Sequence, residues 1–176
     1  MKIRLGEFLS KHGLSVEQYI ESGRLNLVLS DFFDFTSPDN QLFRSSADYD
    51  IVIGNPPYVR SGLISEATRR LLPTALGHRY SKSSDLYVHF YLGAEQLLAD
   101  QGRLCFLTPH NFLKTQNASE FRRHFQRAMN LIRLVDLGER PVFSGASVHA
   151  GVFIFEKSRS RTKVIVNDLA GATGPY

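Results

Sequence analysis

Segments with the pattern of β-strands alternate with segments with the pattern of α-helices along this chain of 176 residues. Residues 50–53 form a short apolar run typical of a strand buried on both faces of a parallel sheet. A helix is predicted over 63–72, ended by Pro73, and a longer one over 84–99 with Ser84 as its N-cap. Strands that alternate with helices predict an α/β domain with a mostly parallel sheet.

The rest of the pattern adds strands on both sides of these segments. We predict strands over 25–29 and 103–108, a helix beginning near 117, and strands over 131–137 and 149–155, with a final edge strand over 162–167. No helix separates 131–137 from 149–155, so one strand must run antiparallel to the others. We expect this antiparallel strand at an edge of the sheet. The predicted divisions are a helical N-terminal segment (1–24), the main domain (25–168) and a tail or linker (169–176).

Composition places the chain among ordinary soluble proteins, with 43% hydrophobic and 22% charged residues. No run approaches the ~18 apolar residues that a membrane span requires, so no membrane partner is expected. The single cysteine cannot form an internal disulfide, and we expect a cytoplasmic protein.

Residues 101–140 carry seven basic and three acidic side chains, a balance compatible with a polyanionic partner or with a solvated helix face.

The residues with the most informative chemistry are Asn55, Pro56, Pro57 and Tyr58, directly after the predicted strand at 50–53. Ligands of open α/β sheets bind beyond the carboxyl ends of the strands. The Asn55 side-chain carbonyl and a proline carbonyl are two fixed acceptors, which can take both hydrogens of an exocyclic amine such as that of adenine. The nitrogen lone pair then turns towards an electrophile, and Tyr58 offers a face on which a planar base can stack.

The nine residues Asp50–Tyr58 resemble the catalytic motif of S-adenosylmethionine-dependent N6-adenine DNA methyltransferases. An ordered set of further segments resembles the methylases of type IIG and related restriction-modification systems. These segments are Ser84–Phe90, Leu97–Leu98, Gly102–Leu104, Thr108–Pro109, Phe112–Leu113, Val135–Gly138 and Val142–Val148. The resemblance covers residues 25–168 and implies a Rossmann-like class I S-adenosylmethionine-dependent methyltransferase fold, of which this chain is the central part.

The resemblance implies a role for each matching residue. In the catalytic segment Asn55–Tyr58, Asn55 and the carbonyl of Pro56 accept hydrogen bonds from the target amine. Tyr58 stacks on an adenine flipped out of double-stranded DNA, and Phe143 touches the other face of that base. The residues implied in binding the adenine of S-adenosylmethionine are Asp31, Phe32, Pro57 and Phe90. No metal ligand is implied.

One part of the family pattern is missing from the sequence. The family has a glycine-rich loop after its first strand and an acidic residue after its second, whereas this chain contains no Gly-x-Gly sequence. We therefore expect the first strands to be absent and this chain alone to be inactive. The cofactor-binding half and a target-recognition domain would then come from the same or a separate polypeptide.

Two alternatives to DNA adenine methylation remain open. One is methylation of a protein glutamine amide or of an RNA guanine amine, since both present a planar nitrogen to the same acceptors. The other is a truncated, non-catalytic fragment that binds nucleic acid.

Overall fold

The computed structural model describes Glu21 and residues 28–37, 49–138, 149–158, 160 and 163–169. The chain divides into two units, Met1–Asp31 and Phe32–Tyr176, and the elements below belong to the second. Of the predicted strand over 25–29, Val28 and Leu29 are not in a strand and the other residues lie outside the described part. The three predicted domain divisions remain predictions.

The described part of the second unit contains a five-stranded sheet and four α-helices. The strands are β1 (Tyr49–Gly54), β2 (Leu98–Pro109), β3 (Asn130–Asp136), β4 (Ala150–Glu156) and β5 (Ile165–Asp168). The helices are α1 (Phe32–Phe35), α2 (Glu66–Leu76), α3 (Leu86–Leu97) and α4 (Ser119–Ala128). Short 3-10 turns cover Ser61–Leu63, Gly77–Arg79, His110–Leu113 and Gln116–Ala118. None of the described helices is both long enough and apolar enough to cross a membrane.

The strand order is β1-β2-β4-β3-β5, and four of the five strands run in the same direction. The mostly parallel sheet is therefore confirmed, as is the edge position of β5, whose four residues are exposed. The predicted edge position of the antiparallel strand is wrong: β4 lies between β2 and β3 and pairs with both. Its continuous apolar sequence explains this position, because Phe153 and Phe155 are buried in the core.

The core lies where α3 and α4 pack against the sheet, around the fully buried ring of Tyr91 in α3. Its ring centroid lies 5.0 Å from that of Phe106 on β2 and 5.7 Å from that of Phe155 on β4. The Tyr91 hydroxyl and Thr108 Oγ1 on β2 form a hydrogen bond of 2.9 Å. This bond joins α3 to β2 close to the carboxyl end of the strand.

The helices predicted over 63–72 and 84–99 extend over Glu66–Leu76 and Leu86–Leu97, and the predicted roles of Pro73 and Ser84 are both wrong. The helix predicted to end at Pro73 continues to Leu76, and Pro73 lies inside its last turns. The lost hydrogen bond is tolerated because the final turn buries Ala75 and Leu76 against the core. Ser84 does not cap α3: the N-cap position is Asp85, and the Ser84 hydroxyl donates to the Asn117 carbonyl at 3.1 Å.

Candidate active site

The predicted site begins where β1 ends, at the carboxyl edge of the sheet. β1 and β2 run parallel, with Gly54 opposite Phe106. A Cβ atom at Gly54 would lie 2.9 Å from Cε1 of Phe106, so glycine allows the strand end to pack against this ring. The next residue, Asn55, is exposed. Its amide group therefore lies at the edge where open α/β sheets bind ligands.

The two prolines after Asn55 differ in burial and in hydrogen bonding. Pro56 is buried and Pro57 is exposed. The Pro57 carbonyl accepts a hydrogen bond from the Val59 N–H at 3.1 Å. In the part of the chain that the structure describes, the Pro56 carbonyl accepts none. The Pro56 carbonyl is thus the acceptor that the loop itself leaves unused.

Tyr58 is half-buried, and its side chain is held by its hydroxyl group. Its hydroxyl donates a hydrogen bond of 3.1 Å to the carbonyl of Leu107 on β2. Burial raises the pKa of Tyr58 to about 12, so the hydroxyl keeps its proton at neutral pH. The hydrogen bond holds the ring at the carboxyl end of β2, two residues before the strand ends.

Two of the residues implied in cofactor binding lie in contact. The rings of Phe32 on α1 and Phe90 on α3 are stacked, with centroids 4.6 Å apart and planes 14° from parallel. A Cβ atom at Gly93 would lie 2.8 Å from Phe32, so the glycine makes room for that ring. Both rings are half-buried. A purine does not fit between rings at this spacing, so the adenine-binding role of the two residues remains a prediction.

Three further residues, Asp31, Pro57 and Phe143, are implied in binding by the family resemblance. Pro57 is exposed in the loop after β1. Asp31 is the last residue of the first unit, directly before α1, and its role remains a prediction. Phe143 lies outside the described residues.

A histidine–aspartate pair at the same edge was not identified from the sequence. His110 Nε2 and Asp136 Oδ1 lie 3.4 Å apart, close enough to pair when the histidine is protonated. Asp136 Oδ1 also accepts a hydrogen bond of 2.8 Å from the Gly138 N–H. A Cβ atom at Gly151 would lie 2.8 Å from His110 Nε2, so β4 needs glycine here. Nothing local in the sequence pairs these residues, because His110 follows the end of β2 whereas Asp136 is the last residue of β3.

Two of the basic residues within 101–140 line a groove formed by residues of α3 and α4. Arg123 and Arg127 of α4 line it together with Arg79 and His124, around a volume of about 230 Å³. Glu95 contacts both Arg79, at 2.8 Å, and His124, at 3.0 Å. Burial alone would raise the pKa of Glu95, but the hydrogen bond from His124 and the neighbouring positive charges outweigh it and lower the pKa.

His89 on α3 is a buried ionisable group. It is 1% exposed, and its Nε2 donates to the Ser81 carbonyl at 3.0 Å. Burial lowers the pKa of His89 to about 4, although the Ser81 hydrogen bond and the charge of Asp85 act in the opposite direction. The imidazole is therefore neutral in the folded protein at pH 7.

The depressed pKa of His89 predicts a loss of stability in acid. The unfolded chain binds a proton at this histidine below about pH 6.5, whereas the folded chain does so only near pH 4. The contribution is complete above pH 6.5 and is lost as the pH falls towards 4, with about 2 kcal/mol lost between pH 7 and 5. Urea unfolding measured at both pH values checks this. His89→Gln should reduce the difference and His78→Gln, at an exposed position, should not; equal pH dependence in all three proteins contradicts the assignment.

Comparison with known proteins agrees with the fold and assigns the family. The model of the Eco57I restriction-modification methylase family matches residues 10–143. The type II methyltransferase M.HincII of Haemophilus influenzae is 28% identical over 160 residues, which are 86% of this chain and 32% of that protein. The chain thus spans about a third of the length of this curated relative.

Solved structures show the same architecture. A type I restriction-modification methyltransferase subunit from Streptococcus thermophilus is 20% identical, with a TM-score of 0.63 over 94% of this chain and 33% of that one. A Listeria monocytogenes protein assigned to the class I S-adenosylmethionine-dependent methyltransferases has a TM-score of 0.56 and 19% identity, over 73% of this chain and 39% of that one. The predicted Rossmann-like class I fold is confirmed, and the chain belongs to the Eco57I restriction-modification methylase family.

Proposed function

We propose that this chain is the central part of the catalytic domain of a site-specific DNA methyltransferase, which methylates the N6 amine of a flipped adenine. The observation that carries the proposal is the loop after β1. It combines the exposed Asn55 amide, the unused Pro56 carbonyl and the hydrogen-bonded ring of Tyr58. Membership of a restriction-modification methylase family supports DNA as the substrate. The activity, substrate and partners of the whole protein are all part of this proposal.

In this proposal the loop activates the amine by binding both of its hydrogens. The amine donates one hydrogen bond to the side-chain oxygen of Asn55 and one to the carbonyl of Pro56. The nitrogen lone pair then leaves conjugation with the purine ring and becomes available for a new bond. S-adenosylmethionine, when bound, supplies an electrophilic methyl group. No general base with a shifted pKa is required, because the amine releases its proton after the nitrogen–carbon bond has formed.

The rings of Phe32 and Phe90 are the residues of this chain that best fit the adenine of S-adenosylmethionine. Their stacked rings form an apolar surface that is already in place before the cofactor binds. Pro57, which is exposed in the loop after β1, is the third residue of this proposed adenine site. The rest of the cofactor site would come from strands added beside β1. β1 is an edge strand of the described sheet, so its outer backbone groups suit extension of the sheet by the same or a separate polypeptide. Ile51 and Ile53 lie on one face of β1 and are 61% and 76% exposed, so this face also suits a covering element.

Product identification tests the proposed function. The complete methyltransferase containing this chain is incubated with S-adenosylmethionine labelled on its methyl group and with duplex DNA, RNA or protein. The products are then digested to nucleosides or amino acids. We expect label in N6-methyladenine from duplex DNA. Label in a methylated guanine of RNA or in a glutamine amide supports the first alternative, and an absence of label in all three supports the non-catalytic one.

We predict that Tyr58 and Phe143 hold the flipped base between them. Flipping the base costs a few kcal/mol, and stacking on one aromatic ring returns roughly 1–3 kcal/mol. Stacking on two rings can therefore offset the cost of flipping, whereas stacking on one ring barely does. With 2-aminopurine at the target position, binding should change the fluorescence of the DNA. Tyr58→Ala and Phe143→Ala should each alter that signal and slow methyl transfer.

Conservative variants separate stacking from other roles of these two rings. Tyr58→Phe keeps the ring but loses the hydrogen bond to Leu107, so it should keep most of the fluorescence change. Phe143→Trp keeps an aromatic face and should preserve methyl transfer. If Phe143→Ala leaves both fluorescence and turnover unchanged, Phe143 does not touch the base.

A further inference from the structure

Asp85 occupies the N-cap position of α3 but does not cap its own helix. An aspartate at this position ordinarily accepts a hydrogen bond from the N–H of the second or third helical residue. Here the side chain makes no such bond. Its Oδ1 instead accepts a hydrogen bond of 2.9 Å from the backbone N–H of Ser61. Asp85 therefore connects the start of α3 to the segment that follows Tyr58.

A second hydrogen bond lies beside the first. The N–H of Leu86, which has no acceptor within its own helix, donates to the carbonyl of Val59 at 2.9 Å. Val59 in turn donates to the carbonyl of Pro57. Two successive residues at the start of α3 thus bind two positions of the chain directly after the catalytic motif. This pairing fixes the position of the loop along the helix end as well as its distance from it.

The same segment is held from two other sides. Arg69 of α2 donates to the carbonyls of Ser61 and Ile64. The Tyr58 hydroxyl is bound to β2. The bond from the Ser61 N–H to the Asp85 carboxylate and the two bonds from the Arg69 guanidinium each include a charged group. Such charge-assisted bonds are roughly twice as strong as neutral ones, so loss of the Asp85 bond should loosen the segment.

We propose that Asp85 is a positioning residue, which holds the loop so that Asn55 and the Pro56 carbonyl meet the target amine in the correct geometry. The inference rests on the proposed function, since the loop matters for catalysis only if it binds that amine. Asp85 itself touches no substrate in this proposal. A displacement of about 1 Å at a reacting group can lower a rate by about a hundredfold, so an anchor close to the motif affects the rate.

The first measurement is made on this chain and does not depend on any activity. Hydrogen exchange of the Ser61 amide is followed by NMR in the wild type and in three variants. Asp85→Ala should speed exchange about tenfold to a hundredfold, because the amide loses a charged acceptor. Asp85→Asn retains a side-chain oxygen and should stay within a few-fold of the wild type. Asp100→Ala, at an exposed position of β2, is the matched control and should change nothing at Ser61.

The second measurement is methyl transfer by the complete methyltransferase containing this chain. Asp85→Ala should lower kcat about tenfold and leave KM for duplex DNA unchanged, and Asp85→Asn should restore most of kcat. Ser61→Pro removes the donor at a position where the first residue of a 3-10 turn tolerates proline. It should lower kcat in the wild type but add little to Asp85→Ala, because both changes remove the same bond.

The two measurements separate the possible failures. If Asp85→Ala leaves both Ser61 exchange and kcat unchanged, Asp85 does not hold the loop. If exchange rises while kcat is unaffected and Asn55→Ala still lowers the rate strongly, the contact is structural only and the positioning role is wrong. If the wild type transfers no methyl group to DNA, the proposed function fails and the catalytic role of Asp85 fails with it, whatever the exchange data show.

Discussion

Replacing Asn55 with alanine is expected to lower the rate of methyl transfer about 10²–10³-fold while leaving the affinity for duplex DNA nearly unchanged. The size of the effect follows from the loss of one preorganised hydrogen-bonding group that acts on the reacting atom. The side chain binds the amine most strongly when the lone pair has left the ring, so its loss affects the transition state more than the bound ground state. Affinity comes mainly from phosphate contacts, which Asn55 does not make in this proposal.

The position of Asn55 in the structure indicates that this substitution should not disturb the fold. Asn55 is exposed and lies beyond the last residue of β1, so its truncation leaves no cavity in the core. The neighbouring Pro56 fixes its own φ angle and should keep its carbonyl in place. Any loss of rate in Asn55→Ala should therefore come from the missing amide rather than from a change of fold.

The measurement is single-turnover methyl transfer by the complete enzyme, with DNA affinity followed separately by fluorescence anisotropy. Asn167→Ala, an exposed asparagine on the edge strand β5, is the matched control and should retain the wild-type rate. Asn55→Asp keeps a side-chain oxygen acceptor and should retain more activity than Asn55→Ala. Near-normal turnover in Asn55→Ala would remove Asn55 from the catalytic role, and a large loss of DNA affinity would place it in DNA binding instead.

The parts of the fold that were predicted correctly depend on local patterns. The apolar run before Asn55 and the alternation of elements are recognised within windows of ten to twenty residues, and β1 and α3 lie where those windows place them. The predicted burial of the 50–53 strand on both faces is wrong: no residue of β1 is buried, because β1 is an edge strand of the described sheet. The position of β4 is not local. Its sequence shows a strand, but whether that strand ends at an edge or between two neighbours depends on pairing partners far away in the chain.

The same contrast between local patterns and long-range contacts applies to the candidate site. The Asn55–Tyr58 motif is contiguous, so its chemistry could be argued from residue types. The family resemblance implies that Phe32 and Phe90 each bind the adenine of S-adenosylmethionine. The structure stacks their rings on each other, and the binding role stays a prediction. Asp85 was not singled out from the sequence, because its bond to Ser61 spans 24 residues and no sequence window contains both.

Replacing Tyr91 with alanine is expected to destabilise the domain by about 3–5 kcal/mol, the cost typical of truncating a large buried aromatic side chain. Tyr91 is fully buried at the centre of an aromatic cluster. Its neighbours, with ring centroids 5.0–5.7 Å away, are Phe106, Phe112, Phe121, Phe125 and Phe155. These rings come from β2, β4, α4 and the turn after β2, so removal of Tyr91 leaves a cavity where helices and sheet meet. Such a loss is a large fraction of the 5–15 kcal/mol that stabilises an ordinary domain.

The hydroxyl of Tyr91 provides a second, finer test of the same packing. Tyr91→Phe leaves the ring in place but leaves the fully buried Thr108 hydroxyl without its partner, at an expected cost of about 1–3 kcal/mol. Thr108→Val should cost a similar amount. The double variant removes both polar groups and should be less destabilised than the sum of the two single variants.

Urea unfolding of this chain, followed by circular dichroism, measures these effects. Tyr49→Ala is the matched control, because Tyr49 is 42% exposed at the start of β1 and its truncation should cost less than about 1 kcal/mol. The order of stability should be wild type, Tyr49→Ala, Tyr91→Phe and then Tyr91→Ala. If Tyr91→Ala unfolds at the same urea concentration as Tyr49→Ala, the aromatic cluster does not hold α3 to the sheet. The helix that carries Asp85 and Phe90 would then need another anchor, because both residues depend on the position of α3.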